Sequence, residues 1–165
     1  MINKELLEKI ARLETELAEV KEMAEAMKKR ADGDGLFKPE DGEKYWYILG
    51  SPVVYESQWE NHPIDHDRYS IGNYFPTQQA AEDTVRALKL IQKARESQNG
   101  FVPDWKNSKQ KKYSLRLYSG TIGIEKSTSI NTEPALGYWG DKSICEQFVI
   151  ENFHELIWFF TEYRR

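Results

Sequence analysis

One plan is written twice in this chain, and it limits the folds open to it. Gly72-Asn73-Tyr74-Phe75-Pro76-Thr77 and Gly137-Tyr138-Trp139-Gly140-Asp141 each end an extended run on an aromatic pair, and a helix signal follows. Thr77 and Asp141 stand where a side-chain oxygen can accept from the first free amide N–H groups of a helix. At matching offsets come a small residue and a glutamate, Ala81-Glu82 in the first copy and Cys145-Glu146 in the second.

The segments leading into each copy also correspond. Tyr45-Trp46-Tyr47-Ile48-Leu49 and Val53-Val54-Tyr55-Glu56-Ser57-Gln58-Trp59 flank the turn Gly50-Ser51-Pro52, a hairpin signal rich in aromatic and β-branched residues. Residues 60–67 are polar and broken by Pro63, so they read as a loop before a third short strand near 68–71. An amphipathic helix is predicted over 77–97. In the second half, residues 112–118 and 121–126 flank the turn Ser119-Gly120. The segment 127–134 reads as a loop, and 135–139 leads into a helix with a break at the capping-box pattern Asn152-Phe153-His154-Glu155. The fold class is α+β: an N-terminal coiled-coil helix, then two β-β-β-α repeats forming antiparallel sheet or sheets packed on helices. The corresponding domains are a helix at 1–31, a linker at 32–35, and units at 36–99 and 100–165.

Leu6, Ile10, Leu13, Leu17, Val20, Ala24, Met27 and Ala31 recur in alternating steps of four and three, the seam of a coiled coil. With Ile10 and Leu17 at position a, Lys9 and Glu16 at g meet Glu14 and Lys21 at e of a parallel partner with opposite charge. The expected oligomerisation residues are Leu6, Ile10, Leu13, Leu17, Val20 and Met27, and the expected partner is a second copy, as a parallel dimer or higher oligomer. A helix folded back on its own domain fits the same short pattern. Asp32-Gly33-Asp34-Gly35 then stops the helix.

A single cysteine excludes an internal disulfide and a cysteine zinc site, which suits a reducing compartment. No apolar run is long enough for a signal peptide or a membrane span, so a cytoplasmic location without membrane partners is expected. The net charge of -4 is unevenly spread. Acidic residues dominate from Asp32 to Asp83, and basic ones from Arg86 to Lys126, so each half could present its own face to a partner.

The stretch Phe37-Lys38-Pro39-Glu40-Asp41-Gly42-Glu43-Lys44-Tyr45-Trp46-Tyr47-Ile48, followed by Gly72-Asn73-Tyr74-Phe75-Pro76-Thr77, resembles the pattern of a family of small accessory proteins from phages and prophages of Gram-positive bacteria. Asp104-Trp105-Lys106-Asn107 and Gln110-Lys111-Lys112-Tyr113 add to the resemblance, which covers residues 36–150. It departs at Phe37, where the pattern carries tryptophan. The resemblance implies a setting inside a host bacterium and a counter-defence role, either trapping a nucleotide signal or inhibiting a defence effector. It transfers no catalytic residue.

Chemical motifs are sparse. His62 and His66 with Asp65 and Asp67 lack a further cluster at metal spacing, so no metal site is expected. Cys145 takes the small-residue position of Ala81, which fits burial better than nucleophilic catalysis. No Walker A, GxGxxG or Gly-x-Ser-x-Gly motif occurs, and neither enzyme activity nor a cofactor is expected. Aromatic residues are abundant, and those near cations could stack on bases while the cations meet phosphates. The expected ligand-binding residues are Trp59, Arg68, Asn73, Tyr74, Lys112 and Arg116. Direct nucleic-acid binding is disfavoured by the overall negative charge. The leading expectation is a non-enzymatic protein that sequesters a small nucleotide signal such as a cyclic oligonucleotide. The alternatives are an anti-CRISPR-like inhibitor of a host defence protein, using the acidic half, and a coiled-coil scaffold.

Overall fold

A computed structural model describes residues 9, 12–14, 17, 21, 39–50, 52–127 and 134–163 of the chain. These form a mixed α and β structure that divides into two units, Met1–Ala81 and Glu82–Arg165. Among the seam residues, Leu13 and Leu17 are helical and exposed. Leu6, Ile10, Val20 and Met27 lie outside the described residues, as do the 32–35 linker and most of the 127–134 loop.

In the first unit, β1 (Lys44–Leu49) and β2 (Val53–Gln58) pair antiparallel, with Lys44 opposite Gln58 and Leu49 opposite Val53. Alternation then puts Tyr45 and Tyr47 on one face, where they join Trp59, Tyr69 and Tyr74 in an aromatic cluster. The expected third strand near 68–71 is corrected here, because those residues lie in and just after a helix, α1 (Pro63–Ser70). The reason is local. His62 caps the helix, its ring nitrogen accepting from the Ile64 N–H at 3.4 Å, and the Asp65 carboxylate accepts from the His62 N–H at 3.1 Å. Pro63 then sits at the first helical position, where its missing N–H costs nothing. The third strand shrinks to one bridge, Trp46 with Phe75, closed by two backbone hydrogen bonds of 2.9 Å.

Helix α2 (Gln78–Gln98) starts as expected, with the Thr77 hydroxyl accepting from the Ala80 N–H at 3.1 Å. Its first turn belongs to the first unit and the rest to the second. There β3 (Tyr113–Tyr118) and β4 (Thr121–Lys126) form a second two-stranded sheet, separate from the first. Ser119 and Gly120 both take positive φ, 46° and 83°, the conformation a two-residue hairpin turn demands. Trp139 bridges to Tyr113, and Asp141 then caps α3 (Lys142–Trp158), accepting from the Ser143 N–H at 2.7 Å. A π-helical turn, Phe159–Tyr163, follows.

Helix α3 packs across β3 and β4, and the core gathers Ala87, Leu90 and Ala94 of α2 with Leu115, Trp139, Phe148 and Leu156. Within α2, Ala87, Leu90 and Ala94 are buried while Leu88 is exposed. Helix α3 breaks at Asn152 (φ -122°, ψ 21°), where the sequence predicts it. The capping-box pairing does not form. The Asn152 amide donates to the Phe148 carbonyl at 3.0 Å, and Glu155 turns to Arg86.

Candidate functional site

The first unit draws Trp59, Arg68 and Tyr74 together around Tyr45, the two rings buried in the core and Arg68 half-buried beside them. Tyr74 stacks on Tyr45 at 4.3 Å between centroids, and Trp59 meets both rings edge-on. The Arg68 guanidinium lies 3.5 Å over the Tyr47 ring and donates to the Tyr45 hydroxyl at 2.7 Å. That hydroxyl donates in turn to Asp65 at 2.6 Å. Burial and the Asp65 carboxylate both push the Tyr45 phenol above its ordinary value, against the pull of Arg68 and Ser57. Asn73 works as a piece of strand: its side chain accepts from the Ile48 N–H and donates to the Ile48 carbonyl, each at 2.7 Å. The Asn73 amide is thus spent on Ile48 of β1, and Arg68 ties one of its nitrogens to Tyr45 of the same strand.

The other two predicted residues belong to the second unit. Lys112 is only 4% exposed; its ammonium donates to the carbonyls of Asn107 and Gln110 and lies 5.3 Å from the Trp105 ring. It pins the loop before β3. Arg116 pairs with Glu125 of the neighbouring strand at 2.8 Å on an exposed face. Cys145 is fully buried, and burial pushes its thiol up to about 12, so the thiolate that nucleophilic chemistry requires is suppressed. Among the described residues, no three His, Cys, Asp or Glu side chains are grouped to hold a metal ion.

The arrangement with open chemistry lies elsewhere in the second unit. Arg86, Lys89, Leu90 and Lys93 of α2 and Glu155 of α3 line a cleft of about 240 Å³. Three cations thus face one carboxylate. On a helix, positions 86, 89 and 93 fall along one stripe beside the buried Leu90. Arg86 is set from two sides: its Nε and Nη2 donate to Glu155 at 2.7 and 3.1 Å, and its guanidinium lies 3.9 Å over the Trp158 ring. Glu155 is held below the usual carboxylate range chiefly by the Arg86 hydrogen bonds, and Arg86 is raised by the same contact. Lys93 reaches Asn152 Oδ1 at 3.4 Å, so the break in α3 also orients this cation. Such a set can hold anionic oxygens, the lysines as point charges and the arginine through its planar fork.

The sequence carried a sign of this cleft, the basic bias beginning at Arg86. Trp158, which backs Arg86, is itself a buried member of the core. Comparison of the chain with family models, curated proteins and solved structures gives no match.

Proposed function

We propose that this chain is a non-catalytic, self-associating protein that sequesters a small phosphorylated ligand of the nucleotide class in the Arg86–Lys93 cleft. The observation that carries the reading is the convergence of Arg86, Lys89 and Lys93 on a concavity with a single carboxylate. Phosphate oxygens suit the two lysines. The guanidinium plane of Arg86, backed by Trp158, offers its other face for stacking a base. At about 240 Å³ the cleft is smaller than the roughly 300–1,000 Å³ of a pocket that encloses a whole ligand. It would grip the phosphate and part of the ligand. In the host setting implied by the resemblance to phage accessory proteins, such capture would serve counter-defence.

The test is a melting panel of cyclic dinucleotides, cyclic trinucleotides, cyclic ADP-ribose and linear nucleotides. A true ligand at about a hundred times its Kd adds about 2.7 kcal/mol, which raises Tm by several degrees. K89A/K93A should lose that rise while melting normally without ligand. A flat response across the whole panel overturns the reading.

Self-association is supported by Leu13 and Leu17, one helical turn apart and 55% and 53% exposed. Lys9 and Glu14, also exposed, flank them with the opposite charges that a parallel second copy requires. Light scattering is expected to give the mass of two or more chains for the intact protein and of one chain for L13D/L17D. An unchanged mass for the variant would remove the helix from the interface.

A further inference from the structure

We propose that the outer edge of β2 pairs antiparallel with β2 of a second copy of the chain, centred on Tyr55, and so joins the two hairpins into one four-stranded sheet. This rests on the reading of the chain as self-associating. Trp46 and Ile48 of β1 turn their backbone groups away from β2: Trp46 exchanges hydrogen bonds with Phe75, and Ile48 with the Asn73 side chain. Alternation in an antiparallel pair then turns the N–H and C=O of their opposite residues, Glu56 and Val54, to the outer edge of a sheet that has only two strands. Among the described residues, nothing donates to or accepts from those backbone groups. An edge left in this state is a template for another strand.

A second β2 suits that edge because the strand is complementary to itself. With Tyr55 opposite Tyr55 of the copy, Val54 of each strand meets Glu56 of the other, and every free N–H and C=O of these residues finds a partner. Tyr55, 40% exposed, then faces its own copy across a non-hydrogen-bonded pair, where opposite side chains lie closest. It already stacks on Tyr47 at 5.8 Å, and the Arg68 guanidinium lies 3.5 Å over Tyr47, so the contact merges two aromatic rows into one. Charge and proline fix the register. Centring the pair on Glu56 would set that carboxylate against its own copy, a destabilising like-charge pair. Centring it on Val54 would set Glu56 against Pro52, which has no N–H to give. In the Tyr55 register each Glu56 meets a valine and keeps its own Lys44, at 2.9 Å. The second unit has no such device, since β4 carries Gly123 at the position of Tyr55 and offers no side chain to pair. Four hydrogen bonds and one aromatic pair are too small a contact to join free chains, which lose translational freedom on association. The contact forms between copies already held through Leu13 and Leu17, at the effective concentration on the order of a millimolar that a tether gives. A parallel helix pair and an antiparallel strand pair are both twofold, so one axis can relate the two copies in each.

The experiment places a cysteine at the centre of the pair. Y55C and V53C are made in the full chain and oxidised mildly, and covalent dimer is followed on denaturing gels; the native Cys145 is fully buried. Y55C should crosslink about tenfold or more faster than V53C, because Val53 faces Ser57 of the copy and lies well away from its own counterpart. In a second arm, the amides of Val54 and Glu56 should exchange with solvent about tenfold or more slowly in the wild type than in Y55K, which sets two lysines face to face. Tyr55 is exposed, so Y55K should keep its fold, and its melting curve reports whether it does. Equal crosslinking rates for Y55C and V53C, or fast exchange of both amides in the wild type, overturns the strand pairing. Protection that persists in Y55K without the Y55C preference gives the edge to another occupant and overturns it as well. Light scattering separates the two levels: a mass of two or more chains without the Y55C preference removes the strand contact alone, and a mass of one chain removes it together with self-association.

Discussion

Replacing Asp65 with alanine is expected to lower the stability of the first unit by about 3–5 kcal/mol, although it is not among the residues that line the proposed ligand site. Asp65 is 2% exposed and accepts from the Tyr45 hydroxyl at 2.6 Å and from the N–H groups of Glu60 and His62, each at 3.1 Å. Alanine strands three donors in or beside an aromatic core, and each buried unsatisfied donor costs about 1–3 kcal/mol. Part of that is recovered where water reaches the backbone amides. Y45F, which removes a single hydroxyl, should cost about 1–2 kcal/mol.

The same carboxylate sets an acid limit. Burial pushes Asp65 up, but the Tyr45 hydroxyl, the two backbone N–H groups and the charge of Arg68 together hold it below its ordinary 3.8. A depressed folded value adds stability that is fully present above the unfolded value and is lost as pH falls through the folded one. The wild type should therefore weaken below about pH 4, and D65A should lose less over that window. Urea unfolding followed by tryptophan fluorescence at several pH values reads both effects. A cost under about 1 kcal/mol at pH 7, against the unsatisfied-donor range, would mean the network contributes little.

Trp139→Ala is expected to cost the second unit about 3–5 kcal/mol, the range for deleting a large buried aromatic. The ring is 1% exposed, packs on Phe148 at 5.4 Å, and donates its indole N–H to the Ser97 hydroxyl at 2.9 Å. Its backbone also exchanges two hydrogen bonds with Tyr113, at 2.8 and 2.9 Å, so the residue anchors the segment leading into α3 to the start of β3. W139F keeps part of the ring packing and should cost less than alanine. Chemical denaturation followed by circular dichroism measures the ladder, and equal costs for the two variants would contradict the packing account.

What the sequence made legible was local. The caps at Thr77 and Asp141 could be read because serine-, threonine- and aspartate-type oxygens are the standard acceptors at helix starts, and both hairpins could be read from their strand composition. Helix α1 is hidden in the sequence because a histidine is an uncommon cap, and Pro63, a breaker elsewhere in a helix, serves here as its first residue. The partners of the expected ligand residues are a different matter. In the fold one Arg68 nitrogen donates to Tyr45 and the Asn73 amide pairs with Ile48, contacts no local pattern announces. The cleft depends on Glu155 meeting Arg86 from 69 positions away, which only the folded chain brings about.

The most direct measurement is a map of backbone amide shifts in the labelled protein as a nucleotide from the melting panel is added. The account predicts perturbations concentrated at residues 86–93 and 152–158, saturating together. Shifts gathered instead around Tyr45, Trp59 and Tyr74, or around Lys112 and Arg116, with the Arg86–Lys93 stripe silent, would contradict it.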